Sequence, residues 1–152
     1  MRNANPEVLK TLTKAYEMEL ETATNYLAQS INLDGVRAEE IKKAMAADIQ
    51  AEIGHAQMVG NRIKQLGGTV PGSLKIHFNQ ELLQPTADPT DVVSVIKGVI
   101  AAEVEAIKTY NTIIKLCEGT DYVTQDICIK TLTDEEQHLS LFNGFLKEYE
   151  KK

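Results

Sequence analysis

Apolar residues recur at helical spacing through most of the chain. Asn5-Pro6-Glu7 reads as a helix start: a capping amide, proline at the first helical position and an acid in the first turn. Leu9, Leu12, Tyr16, Leu20, Ala23, Leu27 and Ile31 then follow a helical period, which predicts a helix over 6–33 with these side chains on its core face. Asp34-Gly35 breaks the pattern. A second helix is predicted over 37–66, carrying Ile41, Met45, Ile49, Ala56, Val59, Ile63 and Leu66 on one side and ending at Gly67-Gly68. Residues 67–88 lose the period and are punctuated by Pro71, Gly72 and Pro85. Asp88-Pro89, with Asp91 behind it, opens a third helix over 89–118, whose apolar face is Val92, Ile96, Ile100, Ile107 and Ile114. Gly119 closes it. Asp121 caps a fourth helix over 121–150, running through Val123, Ile127, Leu132, Leu139, Phe142 and Leu146.

These elements make an all-α protein, a four-helix bundle of two antiparallel hairpins joined by one long crossover. A chain of 152 residues is expected to form one domain, 1–152. The hairpin loops are short, whereas the middle connection has 22 residues. A parallel second and third helix requires that connection to climb about 45 Å. An extended chain of its length reaches about 70 Å. An antiparallel pair would need no such length.

Polar residues interrupt the apolar stripes in a repeated order. Glu19 is followed by Tyr26 and then by Glu52 and His55; Glu103 is followed by Tyr110 and then by Glu135 and His138. The interval from Glu19 to Glu52 is 33 residues, and that from Glu103 to Glu135 is 32. Each Glu lies 16 or 17 residues from the centre of its hairpin turn, Gly35 or Gly119. Both carboxylates of a hairpin therefore sit at one height, about 25 Å from the turn. A spacing of three puts each His on the face of its Glu, and a spacing of seven puts each Tyr on the face of Glu19 or Glu103. Two of only three histidines follow a Glu by three residues, while His77 has no matching acid and reads as a loop residue.

A carboxylate in an apolar stripe is costly unless paired or metal-bound. Four at one level repel one another, and two divalent cations would cancel their charge. Glu19, Glu52, His55, Glu103, Glu135 and His138 form a mixed oxygen and nitrogen set suited to Fe, Mn or Zn more than to Ca or Mg. Tyr26 and Tyr110 read either as core tyrosines or as donors to a ligand carboxylate.

The net charge of −6 disfavours nucleic acid and suits cations. Met1–Lys10 has no apolar run and no 18-residue apolar stretch exists, so neither a signal peptide nor a membrane span is expected, and the default location is cytoplasmic. Cys117 and Cys128 make no disulfide framework and read as free thiols, with a redox-active pair as the alternative.

The order Glu19…Tyr26, Glu52-x-x-His55, Glu103 and Asp134-Glu135-Glu136-Gln137-His138 resembles the ferritin-like di-iron carboxylate proteins, closest to bacterioferritins and small bacterial ferritins. The resemblance implies that Glu19 and Glu103 are terminal ligands, that Glu52 and Glu135 bridge, and that His55 and His138 bind one iron each. Mn or Zn are possible substitutes. It makes Tyr26 a hydrogen-bond donor and an electron donor. Ile53 stands where bacterioferritins carry the haem-ligating methionine, so haem is not expected. Only 14 residues follow His138, so the short fifth helix of large ferritins is not expected, which counts against a 24-subunit cage. A 12-subunit cage or a dimer stays open. The function implied is a ferroxidase, oxidising Fe(II) with O2 or H2O2 for iron storage or detoxification. The alternatives are a rubrerythrin-like peroxidase drawing on Tyr26 and Tyr110, or a non-enzymatic metal-binding bundle.

Overall fold

The computed structural model describes residues 4–151; residues 1–3 and Lys152, which complete the domain expected over 1–152, lie outside the described residues. Four α-helices are present among them: α1 (Pro6–Asn32), α2 (Glu39–Gln65), α3 (Val92–Cys117) and α4 (Tyr122–Leu146). Short 3-10 turns, Val36–Ala38 and Lys147–Tyr149, precede α2 and follow α4. Both hairpin turns pass through a glycine with positive φ, Gly35 at 99° and Gly119 at 68°, where a side chain would strain the backbone.

Local chemistry sets the helix starts. The Asn5 side chain accepts from the Glu7 N–H at 3.0 Å, and Asp121 accepts from the Thr124 N–H at 3.1 Å. The third helix begins at Val92, three residues later than the Asp88-Pro89 pair suggests. Asp91 is its cap, accepting from the Ser94 N–H at 3.1 Å. Asp88 instead accepts from the Thr90 N–H at 2.9 Å in a preceding turn.

Two contacts settle the helix directions. The Asp34 N–H donates to the Pro89 carbonyl at 2.9 Å, so α3 begins at the end of the bundle where α1 finishes. The Arg62 guanidinium donates to Asp121 at 2.9 Å and to the Thr124 hydroxyl at 2.8 Å, so α4 begins where α2 finishes. Helices α2 and α3 are therefore parallel and the crossover runs the length of the bundle.

That crossover is strapped to a polar flank of α1. Glu21 accepts the N–H groups of Asn79 and Gln80, Asn25 donates to the Gln80 side chain at 2.8 Å, and Gln29 donates to the Gln84 carbonyl at 2.8 Å. The spacing of Glu21, Asn25 and Gln29 is one residue per turn along a single face. Leu83 is fully buried, and Gly98 on α3 lets the crossover backbone lie close, since a Cβ there would stand 2.5 Å from the Leu82 carbonyl oxygen.

Apolar packing divides into two clusters. One contains Tyr26, Leu33, Met45, Leu83, Val99 and Phe142; the other contains Ala15, Val59, Tyr110, Ile113, Cys117 and Cys128. On every helix the six predicted ligands fall between these clusters. The buried face of α1 is Val8, Leu12, Ala15, Glu19, Ala23 and Tyr26, so Leu27 and Ile31, expected inside, are exposed. On α4 the buried residues are Thr124, Cys128, Thr131, Glu135 and Phe142, and Val123 is exposed against expectation. The threonines satisfy their hydroxyls locally, Thr131 on the Ile127 carbonyl at 3.1 Å. Buried polar groups need such partners, and these let the helix turn a mixed face inward. Among the described residues no helix is long and apolar enough to cross a membrane.

Candidate metal centre

One side chain from each of α1 and α3, and two from each of α2 and α4, meet at mid-height. Glu19, Glu52, Glu103 and Glu135 are each 1% exposed and His55 is 3% exposed. Ligand atoms of Glu19, Glu52, His55 and Glu135 lie within 4.8 Å of one another, and so do those of Glu52, Glu103, Glu135 and His138. Glu52 and Glu135 belong to both groups, Glu19 and Glu103 to one each. His55 Nδ1 stands 2.8 Å from Glu135, 3.5 Å from Glu19 and 3.7 Å from Glu52. His138 Nδ1 stands 3.5 Å from both Glu52 and Glu103.

The cluster is not satisfied by its own hydrogen bonds. Among the described residues, the buried side-chain atoms without a partner are Glu52 Oε1, His55 Nδ1, Glu103 Oε2, Glu135 Oε1, His138 Nδ1 and Asp48 Oδ2. His55 Nδ1 and Glu135 Oε1 are close in distance yet remain unpartnered. Buried groups are normally paired, so this concentration of orphans at one level calls for an additional species. A carboxylate and imidazole donor set facing inward fits divalent transition-metal cations.

Protons compensate the charge when no cation does. Burial and the nearby Glu52 push the Glu19 carboxyl well above the usual carboxylate range. Burial and the charge of Glu19 push Glu135 up to about 12. Burial would lower His138, yet the nearby Glu103 and Glu52 carboxylates raise it to about 10; His55 is raised further, against burial, by Glu135 and Glu19. Glu52 moves the other way: burial opposes ionisation, but Glu19 and the two imidazoles outweigh it and hold the carboxyl at about 2. Close carboxylates thus divide into protonated and ionised members.

Tyr26 and Tyr110 close the layer from either side. Each serves the opposite hairpin: Tyr26 donates to Glu103 at 2.5 Å, and Tyr110 donates to Glu19. Neither bonds the Glu whose helix face it shares. Burial and the adjacent carboxylates raise both phenols well above their ordinary value, so they remain donors. His77 lies on the exposed crossover, outside the cluster. Two acids outside the expected set do reach it. Asp134 Oδ2 is 2.9 Å from His55 Nε2, and Asp48 Oδ1 is 3.3 Å from His138 Nε2. Asp134 opens the run through His138 that carries the family resemblance, whereas the signal for Asp48 is its proximity to Glu52.

Residues 9–152 match the sequence profile of the Ferritin family, described as a ferritin-like domain. The chain belongs to the ferritin-like domain family. It is 28% identical over 144 residues to a bacterioferritin of Desulfovibrio desulfuricans, covering 91% of this chain and 73% of the relative. It is 35% identical over 91 residues to a bacterial ferritin of Neisseria meningitidis serogroup B, covering 59% of this chain and 53% of that one. In fold it is similar to a solved dodecameric thioferritin, the bacterioferritin-related protein of Bacteroides fragilis. The TM-score is 0.82 and the identity 24%, over 94% of this chain and 86% of the other. This ferritin-like chain shares the four-helix architecture of that structure.

Cys117 and Cys128 are both free and buried in the apolar cluster next to Tyr110. Burial raises Cys117 to about 11 and Cys128 to about 12, so both stand as thiols at neutral pH.

Proposed function

We propose that this ferritin-like protein is a ferroxidase whose substrate is a pair of Fe(II) ions, serving iron storage or detoxification. The observation that carries the reading is the pair of overlapping ligand groups sharing Glu52 and Glu135, with unpartnered atoms turned inward. Glu19 and His55 would hold one iron, Glu103 and His138 the other, and Glu52 and Glu135 would touch both. Two irons held by shared carboxylates would deliver two electrons together, which matches the two-electron reduction of a peroxide or of O2 to peroxide. In balance, two Fe(II), one H2O2 and two protons give two Fe(III) and two waters; with O2 the product is H2O2. The bacterioferritin and bacterial ferritin relatives support this substrate class.

The chain's own residues do three things in that reaction. The carboxylates and imidazoles bind, and their protons leave as the cations enter, so binding tightens as pH rises. Tyr26 and Tyr110 orient Glu103 and Glu19 by donating to one oxygen and leaving the other available. The apolar clusters above and below exclude water from the layer.

Fe(II) oxidation followed optically under O2 or H2O2 tests the reading. Glu52→Ala removes a ligand shared by both groups and is expected to abolish the fast phase; an unchanged rate overturns it.

A peroxidase of the rubrerythrin type is the second reading, favoured by the two tyrosines on ligand carboxylates. Sustained peroxide turnover with a supplied reductant and no mineral would select it. The assembly we propose is a homo-oligomer, cage or dimer. Leu27 and Ile31 on α1, with Leu74, Phe78 and Leu82 on the crossover, are exposed apolar side chains suited to burial between copies. A solution mass well above 16.8 kDa is expected.

A further inference from the structure

The repeat that relates the two hairpins breaks down beside the tyrosines. Glu21, Asn25 and Gln29 follow Glu19 on α1, and the residues in those places after Glu103 on α3 are Glu105, Thr109 and Ile113. The three on α3 are used within the bundle. Glu105 pairs with Lys14 at 3.2 Å, the Thr109 hydroxyl donates to the Glu105 carbonyl at 2.9 Å, and Ile113 is fully buried in the cluster of Tyr110. The three on α1 reach the crossover instead. Glu21 accepts the N–H groups of Asn79 and Gln80, Asn25 donates to the Gln80 side chain at 2.8 Å, and Gln29 donates to the Gln84 carbonyl at 2.8 Å. The Gln80 amide also donates to the Thr22 hydroxyl at 3.0 Å. These contacts bracket Tyr26 along α1. On the α3 side Leu83 is fully buried in the same cluster as Tyr26 and Val99, next to the space left by Gly98. The crossover therefore bridges α1 and α3 beside the bond from Tyr26 to Glu103, and no segment does the same for Tyr110.

We propose that Gln80 and Leu83 are positioning residues for Tyr26: the crossover they anchor seats the phenol on Glu103 and keeps water from that bond, a task that helix packing alone performs for Tyr110. Its bearing on iron rests on the ferroxidase reading above; the contacts do not. A side chain holds a ligand group in place only while its own neighbours fix its rotamer. The neighbours of the two tyrosines differ in kind. Tyr110 is packed by Ile113, Cys117 and Cys128, all on the helices of its own hairpin. Tyr26 depends on a connection in which, across residues 66–91, Leu83 alone is buried. Segments with few buried apolar side chains open at lower cost than packed helices. The half of the centre that carries Glu103 is therefore the one that yields when the crossover loosens, although the ligands themselves repeat.

Exchange of the tyrosine hydroxyl protons in the metal-free protein, read on the ring carbons of carbon-13 tyrosine by NMR in H2O–D2O mixtures, tests the positioning. Gln80→Ala removes the side-chain bonds to Asn25 and Thr22 and should speed exchange at Tyr26 about tenfold, while Tyr110 keeps its wild-type rate. Leu83→Ala should speed it about 100-fold, and Leu83→Met should restore most of the protection. Gln80 is only half-buried, so its replacement carries the test even where Leu83→Ala fails to fold. Equal acceleration of both hydroxyls means that the whole bundle loosens and overturns the inference, as does an unchanged rate at Tyr26. Fe(II) oxidation reads the consequence for the centre. Gln80→Ala should slow it at unchanged Fe(II) uptake per chain, and should slow it no further in the Tyr26→Phe background, because both changes act through one bond. Additive losses, or a wild-type rate in Gln80→Ala, overturn the positioning role. A wild type that oxidises no Fe(II) fails the ferroxidase reading instead, and the contrast between the two hydroxyls is decided without it.

Discussion

Glu103 shows how far a single donor matters in this core. Its Oε1 accepts from the Tyr26 hydroxyl while Oε2 has no partner. Tyr26→Phe deletes that donor with almost no change in volume and leaves a buried carboxylate oxygen unpaired. The metal-free protein is expected to lose about 1–3 kcal/mol in a urea melt. The loss should shrink when Zn(II) is bound, because the cation then satisfies the carboxylate. Tyr110→Phe should act in the same direction through Glu19. That Glu19 and Tyr26 share one face was legible from their spacing. That Tyr26 reaches across to Glu103 was not, because a helical period places a side chain on a face without saying which neighbour lies opposite.

At the scale of elements, the crossover is the part that sequence pattern describes least. It has no period, yet it is fixed by the flank of Glu21, Asn25 and Gln29 and by Leu83. Those three polar residues sit on a helix whose apolar stripe draws the eye elsewhere, and their partners are more than 50 residues away. Gly98 gives the test. Ala at this position puts a Cβ 2.5 Å from the Leu82 carbonyl oxygen, so Gly98→Ala is expected to destabilise by about 1–3 kcal/mol in denaturant. Gly144 on α4 has nothing within 4 Å of its Cβ position, so Gly144→Ala should be neutral or stabilising by up to about 1 kcal/mol through helix propensity alone. Equal melts for the two variants would contradict the close approach at Gly98.

Across the whole molecule, the buried layer couples folding to pH. His138 is raised from 6.5 to about 10 and Glu135 from 4.5 to about 12, so each binds a proton in the folded state that the unfolded chain releases earlier. Their stabilising contribution is complete below the unfolded values and is lost as pH rises toward the folded ones. Glu52, lowered from 4.5 to about 2, contributes above 4.5 and loses that contribution as pH falls toward 2. The metal-free protein should therefore melt at a lower temperature at pH 9 than at pH 6, and weaken again toward pH 2. Zn(II) should stabilise more at pH 9 than at pH 6, since fewer protons compete. Thermal melts at several pH values, with and without Zn(II), measure both trends; a metal-free protein more stable at pH 9 than at pH 6 would contradict this assignment of protons.

Four helices, two hairpins of matched arm length and the common height of each hairpin's two carboxylates were legible in the sequence, because the fixed rise and period of a helix convert residue counts directly into distance and direction. The length of the crossover argued for a parallel middle pair, and the Asp34–Pro89 and Arg62–Asp121 contacts settled it. Only the tertiary structure decided the rotation of α1 and α4 about their own axes, which buries Thr124 and Thr131 and exposes Leu27, Ile31 and Val123. It also decided the crossed tyrosines, the strapping of the crossover and the reach of Asp134 and Asp48 to the imidazoles. Each of these depends on which side chains face one another across separate helices, and that is set by the packing of the whole bundle.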